Sequence, residues 1–223
     1  TTGLTPRGLR SLAADRRCSR ENLLMAARPT YQTEPAALRE LIWDQGSITA
    51  LQMMRIAAWK SARGLASLTL NSEEAIRTRT ASALSAIRPW RDADVLVPDV
   101  DWIAWREAAA MAIGSKRKGT GLLALDGFGY PMASAFLTLL APSAFPVIDR
   151  WTVKALYGAA TGNYQRSLVY VHFAQTLTSH AVRFPWAKTI HQVDQAVMAA
   201  AMGCVHDERP CECLPFPVTR FPS

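Results

Sequence analysis

Residues 116–157 read KRKGTGLLALDGFGYPMASAFLTLLAPSAFPVIDRWTVKALY, and this stretch decides the fold of the chain. Leu122 and Leu125 have the spacing of an apolar helix face, which predicts a helix that includes both. Gly127 and Gly129 then end that helix, because glycine best accepts a sharp change of backbone direction. The stretch therefore predicts two helices joined by a very short hairpin.

The second helix of the hairpin follows directly. Pro131 is tolerated in a first helical turn, where its missing N–H costs no internal hydrogen bond. The buried side of this helix is predicted to consist of Met132, Ala133, Ala135, Phe136, Leu139 and Leu140. A proline-bounded loop at 141–146 comes next, and Asp149 then has the position of an N-cap for a further helix.

The rest of the chain also has helical patterning, and no segment alternates with period two over a convincing length. Helix starts are predicted at Ser19, at Thr33 and Pro35, at Ser47, at Asn71 or Ser72, at Pro98 and Asp99, at Asn163 and near Ala187. Apolar residues on these helices include Leu51, Ile56, Trp102, Ile103, Trp105, Met111, Leu177 and Val197. The fold class is therefore predicted to be all-α, with about ten helices and no internal repeat.

The stretch around the hairpin resembles the helix-hairpin-helix DNA glycosylase superfamily, particularly its 8-oxoguanine glycosylase-like members. The family pattern is apolar-x-x-apolar-x-Gly-apolar-Gly-x-x-x-Ala, followed by an aspartate about twenty residues past the second glycine. Here the pattern is filled by Leu122, Leu125, Gly127, Phe128, Gly129 and Ala133. Asp149 supplies the aspartate, since 149 − 129 = 20. The local match covers about forty residues, and a looser helical match covers most of the chain.

The resemblance implies a two-lobed helical fold with a cleft between the lobes. One lobe would span 31–140 and end in the hairpin. The other would combine 1–30 with 141–223 and carry Asp149 at the cleft. Cleavage of an N-glycosidic bond leaves positive charge on the sugar, and a fixed carboxylate stabilises that charge or orients the attacking water. Asp149 is the candidate for this role, although aspartate is also a common N-cap with no catalytic meaning.

The identity of the nucleophile is a point where the chain departs from the family. Relatives that also cleave the DNA strand have a lysine two residues after the second hairpin glycine, and Pro131 stands there instead. Pro131 has no amine, which favours simple hydrolysis by water. Lys60 is the alternative, because it could approach the cleft from another helix and form a Schiff base. Lys154 is expected to lie on the surface.

DNA contacts are expected at the hairpin. The glycines leave the N–H groups around Gly127, Phe128 and Gly129 available to a phosphate. Family members often hold a monovalent cation with hairpin carbonyls, and the resemblance extends that expectation here. Basic residues just upstream suit further phosphate contacts: Lys116, Arg117 and Lys118. The alternative is that the hairpin is only a helix–helix corner and the basic residues only a solvated surface, without a role in DNA binding.

A flipped base needs a lined pocket and something to fill the gap it leaves. Trp43, Trp59 and Trp151 lie on segments that border the cleft in the resembled fold, so each is a candidate pocket wall as well as a candidate core residue. Gln45 has the position of the side chain that relatives insert into the duplex.

Composition gives a background that suits these expectations. The formal net charge is +7, with twenty Arg and five Lys, which suits a polyanionic partner such as double-stranded DNA. No run of eighteen apolar residues and no signal-peptide pattern is present, so a cytoplasmic, nucleoid-associated protein without a membrane partner is expected, as a monomer. The tail cysteines Cys204, Cys211 and Cys213 resemble an iron–sulfur loop with one short spacing and no fourth cysteine, although His206 or Cys18 could substitute. No metal site and no cofactor are therefore predicted.

Together these features predict a monofunctional DNA glycosylase that flips a modified or damaged base and hydrolyses its N-glycosidic bond with Asp149. Two alternatives stay open. One is a glycosylase that is also an AP lyase through Lys60. The other is a non-catalytic helix-hairpin-helix protein that binds DNA. The sequence does not identify the excised base, nor does it separate damage repair from action on hypermodified DNA.

Overall fold

The computed structural model describes residues 36–60, 65–157 and 167–206, and within these ranges the chain is helical and forms no strand. The α-helices, in chain order, are α1 Ala36–Gln45, α2 Ala50–Lys60, α3 Leu65–Leu68, α4 Glu73–Ile87, α5 Trp102–Ile113, α6 Tyr130–Leu140, α7 Arg150–Tyr157, α8 Ser167–His180 and α9 Ile190–His206. Short 3-10 turns occupy Arg88–Trp90, Leu122–Ala124 and Ala181–Arg183. None of the helices in the described ranges is long and apolar enough to cross a membrane. The predicted all-α class is confirmed, while the predicted helix starts at Ser19, Thr33 and Asn163 lie outside the described residues.

The capping residues that the sequence indicates are confirmed for α4 and wrong for α5. The hydroxyl of Ser72 accepts a hydrogen bond from the N–H of Ala75 and starts α4. Asn71, the alternative cap, instead bonds to the backbone at Asp126. For α5 the cap is Asp101 rather than Asp99.

The buried faces follow the predicted pattern only in part. Trp105 is fully buried in α5, but Ile103 and Met111 on the same helix are 66% and 67% exposed. Leu51 of α2 is 65% exposed, whereas Ile56 is buried. The helices are apolar on more residues than one face can bury, so apolar character alone does not identify the inward side.

The predicted first helix of the hairpin is wrong in extent. Only a three-residue 3-10 turn, Leu122–Ala124, precedes the corner. The reason is a close crossing of the backbone: Gly114 and Gly121 both have positive φ, and a Cβ added to Gly121 would lie 2.6 Å from the Cα of Gly114. This clasp, closed by paired backbone hydrogen bonds between Ser115 and Thr120, leaves too few residues for a full helix.

α6 is the central helix of the molecule. Ten of its eleven residues are buried, Pro131 being the exception. It packs against α1, α2 and α5, which explains why it is apolar on every side. Pro131 lies in its first turn as predicted, and the N–H of Ala133 bonds to the carbonyl of Gly129 at 2.9 Å.

Aromatic side chains of two other helices, α5 and α8, hold the loop from α6 to α7. The indole N–H of Trp105 donates to the carbonyl of Ala144 at 2.9 Å, and the hydroxyl of Tyr170 donates to the carbonyl of Pro146 at 2.7 Å. The Trp105 ring also lies 5.2 Å from the ring of Phe145. α7 and α8 both pack against α9, so this loop delivers the start of α7 to a well-supported position.

Candidate active site

Two charged side chains from distant parts of the sequence meet at the start of α7. Lys60 is the last residue of α2, and Asp149 directly precedes α7. The Nζ atom of Lys60 lies 3.0 Å from Oδ2 of Asp149, and the two side chains are 11% and 13% exposed. An ion pair this sheltered from water is much less screened than a surface pair. The structure thus brings together the carboxylate and the amine that the sequence singled out.

The other carboxylate oxygen of Asp149 caps α7. Oδ1 accepts hydrogen bonds from the N–H groups of Trp151 at 2.8 Å and Thr152 at 3.1 Å. Burial raises the pKa of Asp149, but the charge of Lys60 and the hydrogen bonds from Thr152, Lys60 and Trp151 outweigh it and hold the pKa below the ordinary value. Asp149 is therefore ionised at neutral pH and can stabilise positive charge that develops close to it.

The backbone that leads to this carboxylate is fixed by three consecutive N–H donors. The N–H of Val147 donates to Oδ2 of Asp194 at 3.2 Å, and the N–H of Ile148 donates to the hydroxyl of Ser134 at 3.1 Å. The N–H of Asp149 itself donates to the hydroxyl of Thr152 at 3.3 Å. The three acceptors belong to α9, α6 and α7, so three helices converge on one short segment.

Asp194 and its neighbour His191 were missed in the sequence. Both are almost fully buried, at 2% and 1% exposed, and Nδ1 of His191 lies 3.7 Å from Oδ2 of Asp194. The His191 ring is 6.0 Å from the ring of Trp59. Burial and the negative charge of Asp149 raise the pKa of Asp194 well above its ordinary value, against the opposing effects of Lys60 and the Val147 N–H. The available signal was a carboxylate between the apolar positions of α9.

The corner of the hairpin, Asp126–Gly129, lies at the surface. Gly127 has φ +79°, is exposed, and would place an added Cβ 2.8 Å from the side chain of Leu68. The side chain of Asn71 holds the corner with two hydrogen bonds. Its Nδ2 donates to the backbone carbonyl of Asp126, and its Oδ1 accepts from the backbone N–H of Asp126. Phe128 is buried beneath the corner and Gly129 is half-buried. The corner is thus fixed in shape, and its exposed residues are Asp126 and Gly127. The N–H of Phe128, which was expected to be available to a phosphate, donates instead to the carbonyl of Leu125 at 3.3 Å.

The basic residues upstream of the corner form an exposed turn. Lys116, Arg117 and Lys118 are all exposed at the tip between Ser115 and Thr120. Nζ of Lys116 lies 4.0 Å from a carboxylate oxygen of Asp126, a contact too exposed to hold the side chain in place.

The predicted base-pocket residues differ in how accessible they are. Trp43 is 5% exposed and donates its indole N–H to the carbonyl of Leu140, which makes it a packing residue between α1 and α6. Trp59 is 9% exposed next to Lys60, and Trp151 is half-buried under the guanidinium of Arg150 at 4.8 Å. Of the three, Trp151 has the most surface available to a ligand.

Gln45 ends α1 and is exposed. Its amide oxygen accepts a hydrogen bond of 2.8 Å from the amide of Gln52 on α2. Insertion of Gln45 into a duplex would require this bond to break. Lys154 is exposed on α7, as expected of a surface lysine.

Most of the residues considered as metal ligands in the sequence lie outside the described ranges. No group of three His, Cys, Asp or Glu side chains within them is placed to hold a metal ion. Cys18, Cys211 and Cys213 lie outside the described residues, as do the side chains of Cys204 and His206. A groove of about 350 Å³ between the end of α4 and α5 is lined mainly by apolar residues and includes no residue of the Lys60–Asp149 site.

Comparison of the chain with protein-family models, with curated proteins and with solved structures finds no match. The arrangement itself combines a largely buried ammonium, an ionised carboxylate and a second buried carboxyl group within one helical junction. Such a set can stabilise a developing cation, deliver a proton or supply an amine nucleophile.

Proposed function

We propose that the chain is a DNA glycosylase of the helix-hairpin-helix kind, which cleaves the N-glycosidic bond of a modified or damaged base in double-stranded DNA. The observation that carries this proposal is the 3.0 Å contact between Lys60 and Asp149 at the start of α7. The resemblance marks Asp149 from its distance to the hairpin, and Lys60 is a candidate for the lysine that the hairpin lacks. The proposed fold has two lobes, 31–140 and 1–30 plus 141–223, with the target base entering between them.

Asp149 would act on the sugar. As the bond to the base breaks, its electron pair leaves with the base and positive charge develops at C1′ and the ring oxygen. An ionised carboxylate in a sheltered site stabilises that charge without having to reorganise. The same oxygen that faces Lys60 would face the sugar once the substrate is bound, and Oδ1 would keep its cap hydrogen bonds throughout.

Lys60 favours a second candidate function, strand cleavage in addition to base excision. In this route an Nζ proton of Lys60 passes to the departing base, and the amine lone pair then forms a bond to C1′. Opening of the sugar ring moves the electron pair of the C1′–O4′ bond onto O4′, which takes a second Nζ proton, and gives an imine. Loss of a C2′ proton then expels the 3′ phosphate. If water attacks C1′ instead, Lys60 only supplies the first proton.

The hairpin and the basic turn would supply DNA binding without sequence reading. Asp126 and Gly127 are exposed at the corner, and Lys116, Arg117 and Lys118 are exposed on the same stretch. Each phosphate that a basic side chain neutralises is expected to steepen the logarithmic salt dependence by about 0.9. The net charge of +7 suits this use.

The test is a panel of duplexes that each contain one modified base, incubated with the wild type, with Lys60→Gln and with Lys154→Gln. Strand breaks that appear only after alkali show base excision, and breaks without alkali show lyase activity. Borohydride is added to parallel samples to trap an imine. We expect wild type and Lys154→Gln to excise the base from at least one duplex. If Lys60 is the nucleophile, both also give a trapped adduct, and Lys60→Gln gives none.

The outcomes separate the three functions. Excision by the wild type without any trapped adduct would support water as the nucleophile. Tight, salt-sensitive binding with no excision on any duplex would overturn the enzyme proposal in favour of a DNA-binding module. An adduct that persists in Lys60→Gln would show that another amine is the nucleophile.

A further inference from the structure

We propose that Asp194 is a positioning residue, which fixes the carboxylate of Asp149 opposite Lys60 by anchoring the backbone two residues before it. The inference rests on the proposed function in that Asp149 is taken as the reacting carboxylate. Its structural part, that Asp194 holds the 147–149 segment, can be tested without any activity.

The geometry of the segment supports this role. Oδ2 of Asp194 accepts the N–H of Val147 at 3.2 Å, and the next N–H, that of Ile148, is held by Ser134 at 3.1 Å. Asp149 follows immediately and turns into α7. A shift of Val147 would be passed along two residues to the carboxylate, and a misplacement of about 1 Å in a reacting group can cost about 100-fold in rate.

The burial of Asp194 shows that its position is costly to maintain. It is 2% exposed on a helix whose neighbouring positions Val193 and Val197 are fully buried apolar residues. Its Oδ1 atom is buried and has no hydrogen-bond partner among the described residues. An apolar residue here would avoid the cost of burying a polar group. A carboxyl group is therefore better explained by the bond that its other oxygen makes to the loop.

The charged and titratable groups that face Asp194 come from three other parts of the chain and from its own helix. They are Asp149, Lys60 on α2, Tyr170 on α8 and His191 on α9. Burial and the negative charge of Asp149 raise the pKa of Asp194, which favours its neutral form beside the ionised Asp149. Asparagine has nearly the same shape, is neutral, and retains an oxygen that can accept the Val147 N–H.

The experiment compares four variants with the wild type. Asp194→Ala removes the acceptor for Val147, Asp194→Asn keeps an acceptor, and Ser134→Ala removes the neighbouring anchor. Thr80→Val is the matched control. Thr80 is also buried, and from its place on α4 its hydroxyl accepts the N–H of the loop residue Ile48. Amide hydrogen exchange is measured by NMR at residues 147–149, and duplex affinity and single-turnover excision are measured separately.

We expect Asp194→Ala to exchange the amide protons at 147–149 at least about tenfold faster than wild type. Excision should slow by about 10- to 100-fold with the duplex Kd unchanged. Ser134→Ala should show the same pattern, Asp194→Asn should recover most of both properties, and Thr80→Val should leave exchange at 147–149 unchanged.

The readouts distinguish the two proposals. If exchange at 147–149 is the same in Asp194→Ala as in Thr80→Val, the positioning role is overturned whatever the activity. If exchange follows the expected pattern but the wild type excises no base, the positioning role stands and the glycosylase proposal fails. Should Asp194→Ala not fold, the same exchange comparison is made with Ser134→Ala and Asp194→Asn: fast exchange in Asp194→Asn would contradict the anchoring role of its oxygen.

Discussion

Two helices in this molecule begin with the same local structure and differ in everything around it. Asp101 caps α5 and accepts hydrogen bonds from the second and third N–H groups after it, both at 3.0 Å. Asp149 caps α7 with the same pair of bonds, at 2.8 and 3.1 Å. Asp101 is exposed, whereas the side chain of Asp149 is 13% exposed and faces Lys60.

Capping geometry therefore carries no functional information by itself. What separates the two aspartates is their tertiary surroundings: a cation across from Asp149, a second carboxyl group nearby and an anchored approach of the backbone. The comparison can therefore be tested by making the same substitution at both caps.

The largest difference is expected in base excision, the proposed activity. Asp149→Asn should lower the single-turnover rate by about 10³-fold, because it removes the negative charge that stabilises the sugar cation while it leaves the cap oxygen in place. Asp101→Asn should change the rate by less than about twofold. Both rates are measured on the duplex that the wild type cleaves best, with binding measured in parallel. Similar rates for the two variants would remove the functional distinction between the caps.

A smaller difference is expected in stability. Asp101→Ala should lower the free energy of unfolding by about 1 kcal/mol, the usual cost of a lost cap. Asp149→Ala should cost about 3 kcal/mol, because it also takes the carboxylate away from the largely buried ammonium of Lys60. Urea unfolding followed by circular dichroism measures both.

The double variant Asp149→Ala/Lys60→Met is the control for that stability prediction. It removes both charges, and it should therefore be more stable than Asp149→Ala alone. Equal losses at Asp101 and Asp149, or no recovery in the double variant, would show that the ion pair contributes nothing beyond the cap.

The smallest expected effect is a dependence on pH, and it has opposite signs at the two carboxyl groups of the site. The pKa of Asp149 is lowered by folding, so its contribution to stability is present above its ordinary value of 3.8 and is lost as the pH falls through the folded value. The stability gap between wild type and Asp149→Asn should therefore narrow in acid.

The pKa of Asp194 is raised, so the stability that it contributes is present below 3.8 and is lost as the pH rises through the folded value. The free energy of unfolding of Asp194→Asn should thus increase relative to that of the wild type as the pH rises. Urea titrations at a series of pH values measure both trends, and trends of the same sign would contradict the opposite shifts.

The sequence predicts the parts of this molecule that depend on local chemistry. The α-helical class, the cap at Ser72, the place of Pro131 and the cap at Asp149 are confirmed, because each depends on residues a few positions apart. The prediction of a full helix before the corner was wrong. The close contact between Gly114 and Gly121 joins two backbone segments, and the hydrophobic periodicity of the sequence contains no sign of such a contact.

The site was less predictable because its members converge from four helices. Spacing from the hairpin marked Asp149, and the small number of lysines marked Lys60. Nothing local distinguished Asp194 or His191 from ordinary polar residues of a helix, because their burial is imposed by the packing of α9 against α7. Exposed apolar residues such as Ile103 show the opposite case. They fit the apolar pattern of a helix, but other residues of that helix form its buried face.

The clasp of Gly114 and Gly121 has a consequence for how the basic turn can vary. Each glycine occupies the volume that a side chain on the other would need, so a saturation library at either position should return glycine alone. The residues at the tip, Lys116, Arg117 and Lys118, touch no such constraint and are free to change in charge. Substitutions at these three positions would therefore change the charge of the turn, and with it the proposed attraction to DNA, while the backbone of the turn keeps its length.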